Sequence, residues 1–150
     1  MHPSMKRIVD DVAEYGWHVV WVLAEGDAPE FAFSVGFFQS YEHPELVIFG
    51  LQSKTAHSIL ATCLERIQDG HPFAGGQVRS DILVDYSVAV LEIDKRYYRE
   101  YLGSAIGFYD GLDFPALQLV WPDESHRFPW EPDCKPATVA AQPILSIEAS

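Results

Sequence analysis

Residues 31–51 read Phe31-Ala-Phe-Ser-Val-Gly-Phe-Phe38, then Gln39-Ser-Tyr-Glu-His-Pro44, then Glu45-Leu-Val-Ile-Phe-Gly-Leu51. Two apolar runs of strand length flank one short polar connection. In the first run Phe31, Phe33, Val35 and Phe37 fall on one face, while Ala32, Ser34 and Gly36 give the other face small side chains. Upstream, Trp17-His-Val-Val-Trp-Val-Leu-Ala24 is rich in β-branched and aromatic residues and apolar on both faces, which predicts a central strand. The loops joining these three runs are short and favour antiparallel pairing.

Downstream, Ser53 opens and caps the clearest helix. Ala56, Ile59, Leu60, Cys63, Leu64 and Ile67 recur at helical spacing, and Gly70 closes it. At the N-terminus Ser4 is placed to cap a helix to Tyr15, with Ile8, Val12 and Tyr15 on one face and Gly16 as the stop. Further strands are predicted over 77–84, 86–93 and 115–121. A helix capped by Asp94 would turn Tyr98, Tyr101, Leu102, Ala105 and Phe108 inward, although Gly103 and Gly107 each weaken it by about 1 kcal/mol. Five of the ten prolines lie from Pro122 onward, so residues 122–150 are expected to run extended, pinned by Phe128 and Trp130 rather than by secondary structure. The expected architecture is a single α+β domain over residues 1–150, its core at about 5–121. It comprises a curled, mainly antiparallel, split-barrel-like sheet, about three helices and an extended Pro-rich tail.

The composition fits a folded globule: 48% of the 150 residues are apolar and 13% aromatic. Ten Lys and Arg against 22 Asp and Glu give a net charge of −12, divided equally between residues 1–75 and 76–150. Nucleic acid is therefore an improbable partner, because phosphate binding needs clustered cations. No run approaches the roughly 20 apolar residues of a membrane span. No apolar leader follows Met1, so a cytoplasmic location is expected. Cys63, on a helical apolar stripe, reads as a buried thiol rather than half of a disulfide with Cys134.

Six histidines raise the question of a metal, and His43, Glu45 and His57 are the nearest approach to a ligand set. No H-x-x-x-H, HExxH or CxxC spacing accompanies them, so no metal is favoured. His43, in a loop before proline, reads as an exposed ring, and His18 as a hydrogen-bonded ring in or beside the core. No nucleophile motif is present. The start of the helix at Ser53 is more informative. Ser53-Lys54-Thr55 sets a cation and two hydroxyls where the helix dipole disfavours positive charge and free amides attract anions. Plain capping, with Lys54 in solvent, is the simpler account. Trp121 is the aromatic candidate for lining a ligand pocket.

Gly16-Trp17-His18-Val19, Phe33-Ser34-Val35-Gly36, His43-Pro44-Glu45-Leu46, Leu117-Gln-Leu-Val-Trp-Pro-Asp123 and Phe128-Pro-Trp130-Glu131-Pro132 resemble the signatures of a bacterial family, domain of unknown function 4262. The resemblance runs from about Ile8 to Pro143 and implies no particular activity. Val19 to Phe73 is also similar, more weakly, to the opening of flavin-reductase-like split barrels. That likeness implies FMN approached by Ser34, Gly36, Ser53 and Thr55 with Lys54 as charge partner, although Phe37 and Phe38 occupy the space of the ring system.

These readings predict a binding module without catalytic machinery, of immunity or regulatory type, whose partner is a small-molecule ligand or a basic protein. A homodimer stays open. The alternatives are an FMN-dependent split-barrel oxidoreductase and, behind it, a metal-dependent hydrolase at His43, Glu45 and His57.

Overall fold

A computed structural model describes residues 3–146. Helix α1 (Pro3–Tyr15) begins one residue before the Ser4 expected to cap it, and buries Ile8 and Val12. Tyr15, expected on the same face, is instead exposed. Gly16 ends the helix at φ 89°, its amide donating to the Val12 carbonyl.

Among the described residues six strands form one open sheet. They are β1 (His18–Val22), β2 (Phe31–Val35), β3 (Glu45–Phe49), β4 (Val78–Arg79), β5 (Val88–Glu92) and β6 (Ala116–Val120), in spatial order β1-β2-β3-β6-β5-β4. Every neighbouring pair is antiparallel except β3 and β6, which run parallel with Glu45 opposite Ala116. The mixed α+β, mainly antiparallel sheet is as expected, and it does not close into a barrel. Strand β1 corrects one expectation: its two-faced apolar pattern predicts the middle of a sheet, and it lies at the edge.

The remaining α-helices are α2 (Phe37–Tyr41), α3 (Ser53–Gln68), α4 (Tyr98–Tyr101), α5 (Gly103–Tyr109) and α6 (Pro136–Ala141), with a 3₁₀ turn at Lys95–Tyr97. The first run was expected to stay extended through Phe38. It stops at Val35 because Gly36, at φ 111°, turns the chain into α2. No other residue fits there: a Cβ on Gly36 would sit 2.7 Å from the Gly16 carbonyl oxygen and 3.0 Å from Trp17 Cα. The strand expected over 77–84 shrinks to two residues, and directly beyond it the Asp81 carboxylate accepts from the Arg79 guanidinium. The helix expected after Asp94 is broken at Leu102, whose φ of −113° and ψ of 34° are not helical, and Asp94 caps only the 3₁₀ turn. Helix α3 starts at Ser53, with Gln52 rather than Ser53 in the cap position and no side-chain cap bond.

The sheet lies between two helical layers. On one face Phe31, Phe33, Val35, Val47 and Phe49 pack against Ile8 and Val12 of α1, Tyr98 of α4 and Ala105 of α5. On the other, Ala32, Leu46, Ile48, Leu117 and Leu119 meet Ala56, Ile59, Leu60, Cys63 and Leu64 of α3. The expected stripe of α3 is therefore its buried face, and burial pushes the free Cys63 thiol up to about 12.

The C-terminal segment also corrects its expectation. It contains α6 and is held by buried polar side chains, whereas Trp130 stacks on Phe128 but stays 51% exposed. The Asp123 carboxylate accepts the amides of Ser125, Arg127 and Lys135, each at 2.9 Å. Gln142 bonds both backbone groups of Trp121, and Gln118 bonds the Pro143 carbonyl (2.7 Å) and the Leu145 amide (2.9 Å). No helix among the described residues is long and apolar enough to cross a membrane.

Candidate functional site

At the corner between β2 and α2, the turn at Gly36 aims three successive amides outward from the helix start. The Glu45 carboxylate, brought alongside by the antiparallel β2–β3 register, fills that position. Its Oε1 accepts Ser34 Oγ–H (2.7 Å) and the Phe37 amide (3.1 Å); its Oε2 accepts the amides of Gly36 and Phe38, both at 3.1 Å, and the hydroxyl of Tyr109 from α5. Ser34 Oγ in turn accepts the Leu46 amide at 3.0 Å. Burial pushes the Glu45 carboxyl above its ordinary range, and the bonds from Tyr109, Ser34, Phe38 and Phe37 pull against that push. Burial and the Glu45 charge push Tyr109 upward as well. The corner is an anion site, and the chain's own Glu45 occupies it.

His43, expected to be an exposed ring, is 3% exposed. Its Nδ1–H donates to the Pro44 carbonyl (2.8 Å) and its Nε2 accepts the Phe73 amide (2.9 Å), which defines a neutral tautomer. Burial, the largest cause, and the charge of Arg79 hold its pKa below the ordinary histidine value. The Arg79 guanidinium lies 4.0 Å from the Phe73 ring centroid, donates to the carbonyls of Pro72 and His71, and forms a two-toothed pair with Asp81. His57 is exposed on α3, its ring 5.5 Å from that of Trp17. Among the described residues no three ligating side chains are grouped to hold a metal, and both polar ends of His43 and of Glu45 already have partners. His18, as expected, is hydrogen-bonded: its Nδ1 lies 2.7 Å from Asp11 Oδ2.

Phe73, whose amide His43 holds, lines a cleft of about 790 Å³ at the end of the sheet where β3 and β6 begin and β5 finishes. Pro44, Phe73 and Phe114 give it apolar surfaces. Glu92, Asp94 and Asp113 add three carboxylates, and Lys95 is the cation in the lining. Glu92 and Asp113 are exposed; Asp94 is half-buried and 3.5 Å from Arg96 Nε. Tyr98 donates its hydroxyl to the Phe114 carbonyl at 2.9 Å and so presents its ring rather than a free hydroxyl.

A second, smaller pocket of about 310 Å³ brings together two expected site residues, Thr55 and Trp121, with Leu51, Ile59, Leu83, Tyr86, Pro122 and Glu124. The Trp121 indole N–H donates to the Phe49 carbonyl at 2.8 Å. Ser53 and Lys54 are exposed in the adjoining first turn of α3. Ser34 and Gly36 lie at the other end of β3, separated from α3's start by a five-residue strand, about 16 Å of chain. The residues that a flavin site would share are thus at opposite ends of the sheet, and Ser34 and Gly36 are engaged by Glu45. They do not fit FMN.

A family model described as Domain of unknown function (DUF4262) matches residues 11–135. The chain is a member of the DUF4262 family. No curated protein matches it. No solved structure matches it either.

Within the DUF4262 match lie the whole Glu45 cluster, His43 with Phe73, and every residue named in the cleft. The motifs His43-Pro44-Glu45 and Ser34-Val35-Gly36 are joined by the bonds that Glu45 accepts from Ser34 and Gly36. The spacing of Gly36, at the end of an apolar run, and Glu45, at the start of the next, carried that link. Tyr109, which stands 64 residues from Glu45, carries no local signal. The cleft carboxylates carry little local signal for the same reason: Glu92 and Asp94 come from one segment and Asp113 from another, 19 residues on.

Proposed function

We propose that this DUF4262 protein is a non-catalytic binding module, and that its site is the acidic cleft, which takes a cationic group presented by a small ligand or a basic partner protein. The observation that carries the reading is the lining itself: three carboxylates against one lysine, set around aromatic and proline surfaces in a volume suited to a small molecule or one long side chain. The engagement of Ser34 and Gly36 by Glu45, and of His43 by Pro44 and Phe73, supports a structural rather than a catalytic role for those motifs. With a net charge of −12, the chain also draws cations toward it over the range of a Debye length.

Calorimetric titration with spermidine and with an arginine-rich peptide tests this. Each exposed carboxylate–cation contact contributes roughly 0.2–1 kcal/mol, so the double variant Glu92→Gln, Asp113→Asn should weaken binding by about 2- to 30-fold, with affinity falling as salt rises. Unchanged affinity in the double variant, or salt-independent binding, refutes the assignment. A second reading has its own observation. Thr55 and Trp121 share a pocket beside the start of α3 that is largely apolar, with Glu124 at its lining, which suits a small planar ligand. Lys54→Ala and Trp121→Ala should both weaken such a ligand, and an unchanged affinity in both retires that reading.

A further inference from the structure

Strand β1 carries the composition of an interior strand in an edge position. Val19, Val20, Trp21 and Val22 are apolar and all half-buried, and α1 covers one face while α3 covers the other. The outer side is different. Strand β2 is β1's sole strand neighbour among the described residues, so alternate backbone N–H and C=O groups of β1 face outward with no ladder beyond them. Natural sheet edges are blunted by shortness, bulges, proline or inward-pointing charges. The opposite edge is blunted in this way: β4 has two residues, one of them Arg79. Strand β1 has five residues, all registered one-to-one with β2, with no proline and no Lys, Arg, Asp or Glu. Leu23, directly after the strand, holds a large apolar side chain in solvent (71% exposed), as does Tyr15 (63%) at the end of α1 just before it.

We propose that β1 is the self-association surface of the protein, pairing antiparallel with β1 of a second copy to make one continuous twelve-stranded sheet. Self-complementarity selects the second copy as occupant. A two-fold axis near Val20 brings an uncharged strand against itself and sets Leu23 of each copy against the Trp17–His18 end of the other. The available area fixes the strength. From Trp17 to Leu23 the edge is roughly 23 Å long, and a helix–sheet–helix edge is about 20 Å thick, giving on the order of 450 Å² per copy. That is below the roughly 800 Å² per partner of stable complexes, so the dimer is weak and concentration-dependent. Two chains of −12 also repel, so added salt strengthens the pairing.

Sedimentation equilibrium from about 10 µM to about 1 mM, the range of a weak interface, should show the mass rising from the monomer toward twice that value. Over the same range hydrogen exchange of the 18–22 amides should slow. Leu23→Glu should hold the protein monomeric without lowering its melting temperature. Val84→Glu, which adds the same charge at another exposed apolar side chain, should dimerise as the wild type does. A monomer at every concentration overturns the proposal. So does a dimer that survives Leu23→Glu with exchange at 18–22 independent of concentration, or one that Val84→Glu disrupts equally.

Discussion

Replacing Glu45 with Gln keeps the shape of the side chain and removes one acceptor. The carboxylate accepts five hydrogen bonds, three on Oε2 and two on Oε1. If the new amide NH₂ takes the Oε2 position, it faces the Gly36 and Phe38 N–H groups, and only the Tyr109 hydroxyl can turn to accept. If it takes the Oε1 position, the Ser34 hydroxyl can turn but the Phe37 N–H cannot. The second orientation is the cheaper and leaves one buried backbone donor unpaired, at about 1–3 kcal/mol. Loss of charge assistance on the remaining bonds adds roughly 1 kcal/mol, and relief from burying a charge offsets part of it. The expected net loss is about 2–3 kcal/mol, or roughly 4–12 °C in melting temperature for a chain of this length. Urea titration at pH 8 with circular dichroism measures it, and the slope should stay unchanged. A loss below about 0.5 kcal/mol refutes the reasoning, since it would mean that a neutral side chain satisfies this corner as well as a carboxylate does.

Three further outcomes are expected. Gly36→Ala combines a positive φ with a Cβ pressed on the Gly16 carbonyl, and should cost about 2–5 kcal/mol in the same titration. The folded-state pKa of His43 is lowered, so below about pH 6.5 the unfolded chain takes up the proton first and stability falls as pH drops toward the folded value. His43→Gln should therefore flatten the difference in stability between about pH 7.5 and pH 5.5, and an unchanged slope contradicts the buried neutral ring. Gln118→Leu strands the Pro143 carbonyl and the Leu145 amide, so proteolysis should cut near residues 143–146 well before the core, at a cost of about 1–3 kcal/mol for each unpaired group.

Elements that bury a local pattern were legible: the α3 stripe from Ala56 to Leu64, the paired strands around residues 31–49, and the mainly antiparallel α+β character. What was not legible depends on partners distant in sequence. Phe37 and Phe38 look extended until Glu45 is seen to hold their amides in a helix. The edge position of β1 cannot be read from His18–Val22, because burial by α1 and α3 imposes the same apolar pattern that two neighbouring strands would. For His43, the proline that follows suggested a loop, while the Phe73 amide that buries it lies 30 residues away. Of the expected ligand residues, Thr55 and Trp121 were brought together by the parallel β3–β6 pair. The antiparallel β2–β3 register sets Ser34 and Gly36 at the other end of β3, and no local feature of the chain announces the parallel pair.

The parallel pair has a consequence for the order of events during synthesis. Phe49 ends β3 and Ala116 begins β6, 67 residues later. At about 5–20 residues per second, the inner side of β3 waits roughly 3–13 s for the strand that covers it. Local hairpin formation takes microseconds, so β1, β2 and β3 can assemble early with Leu46, Val47 and Ile48 along an open flank. The most buried part of the finished molecule is then, for a time, its most adhesive surface. Its protection arrives only with the chain segment that brings in β6 and, after it, the Gln118 and Gln142 clamps.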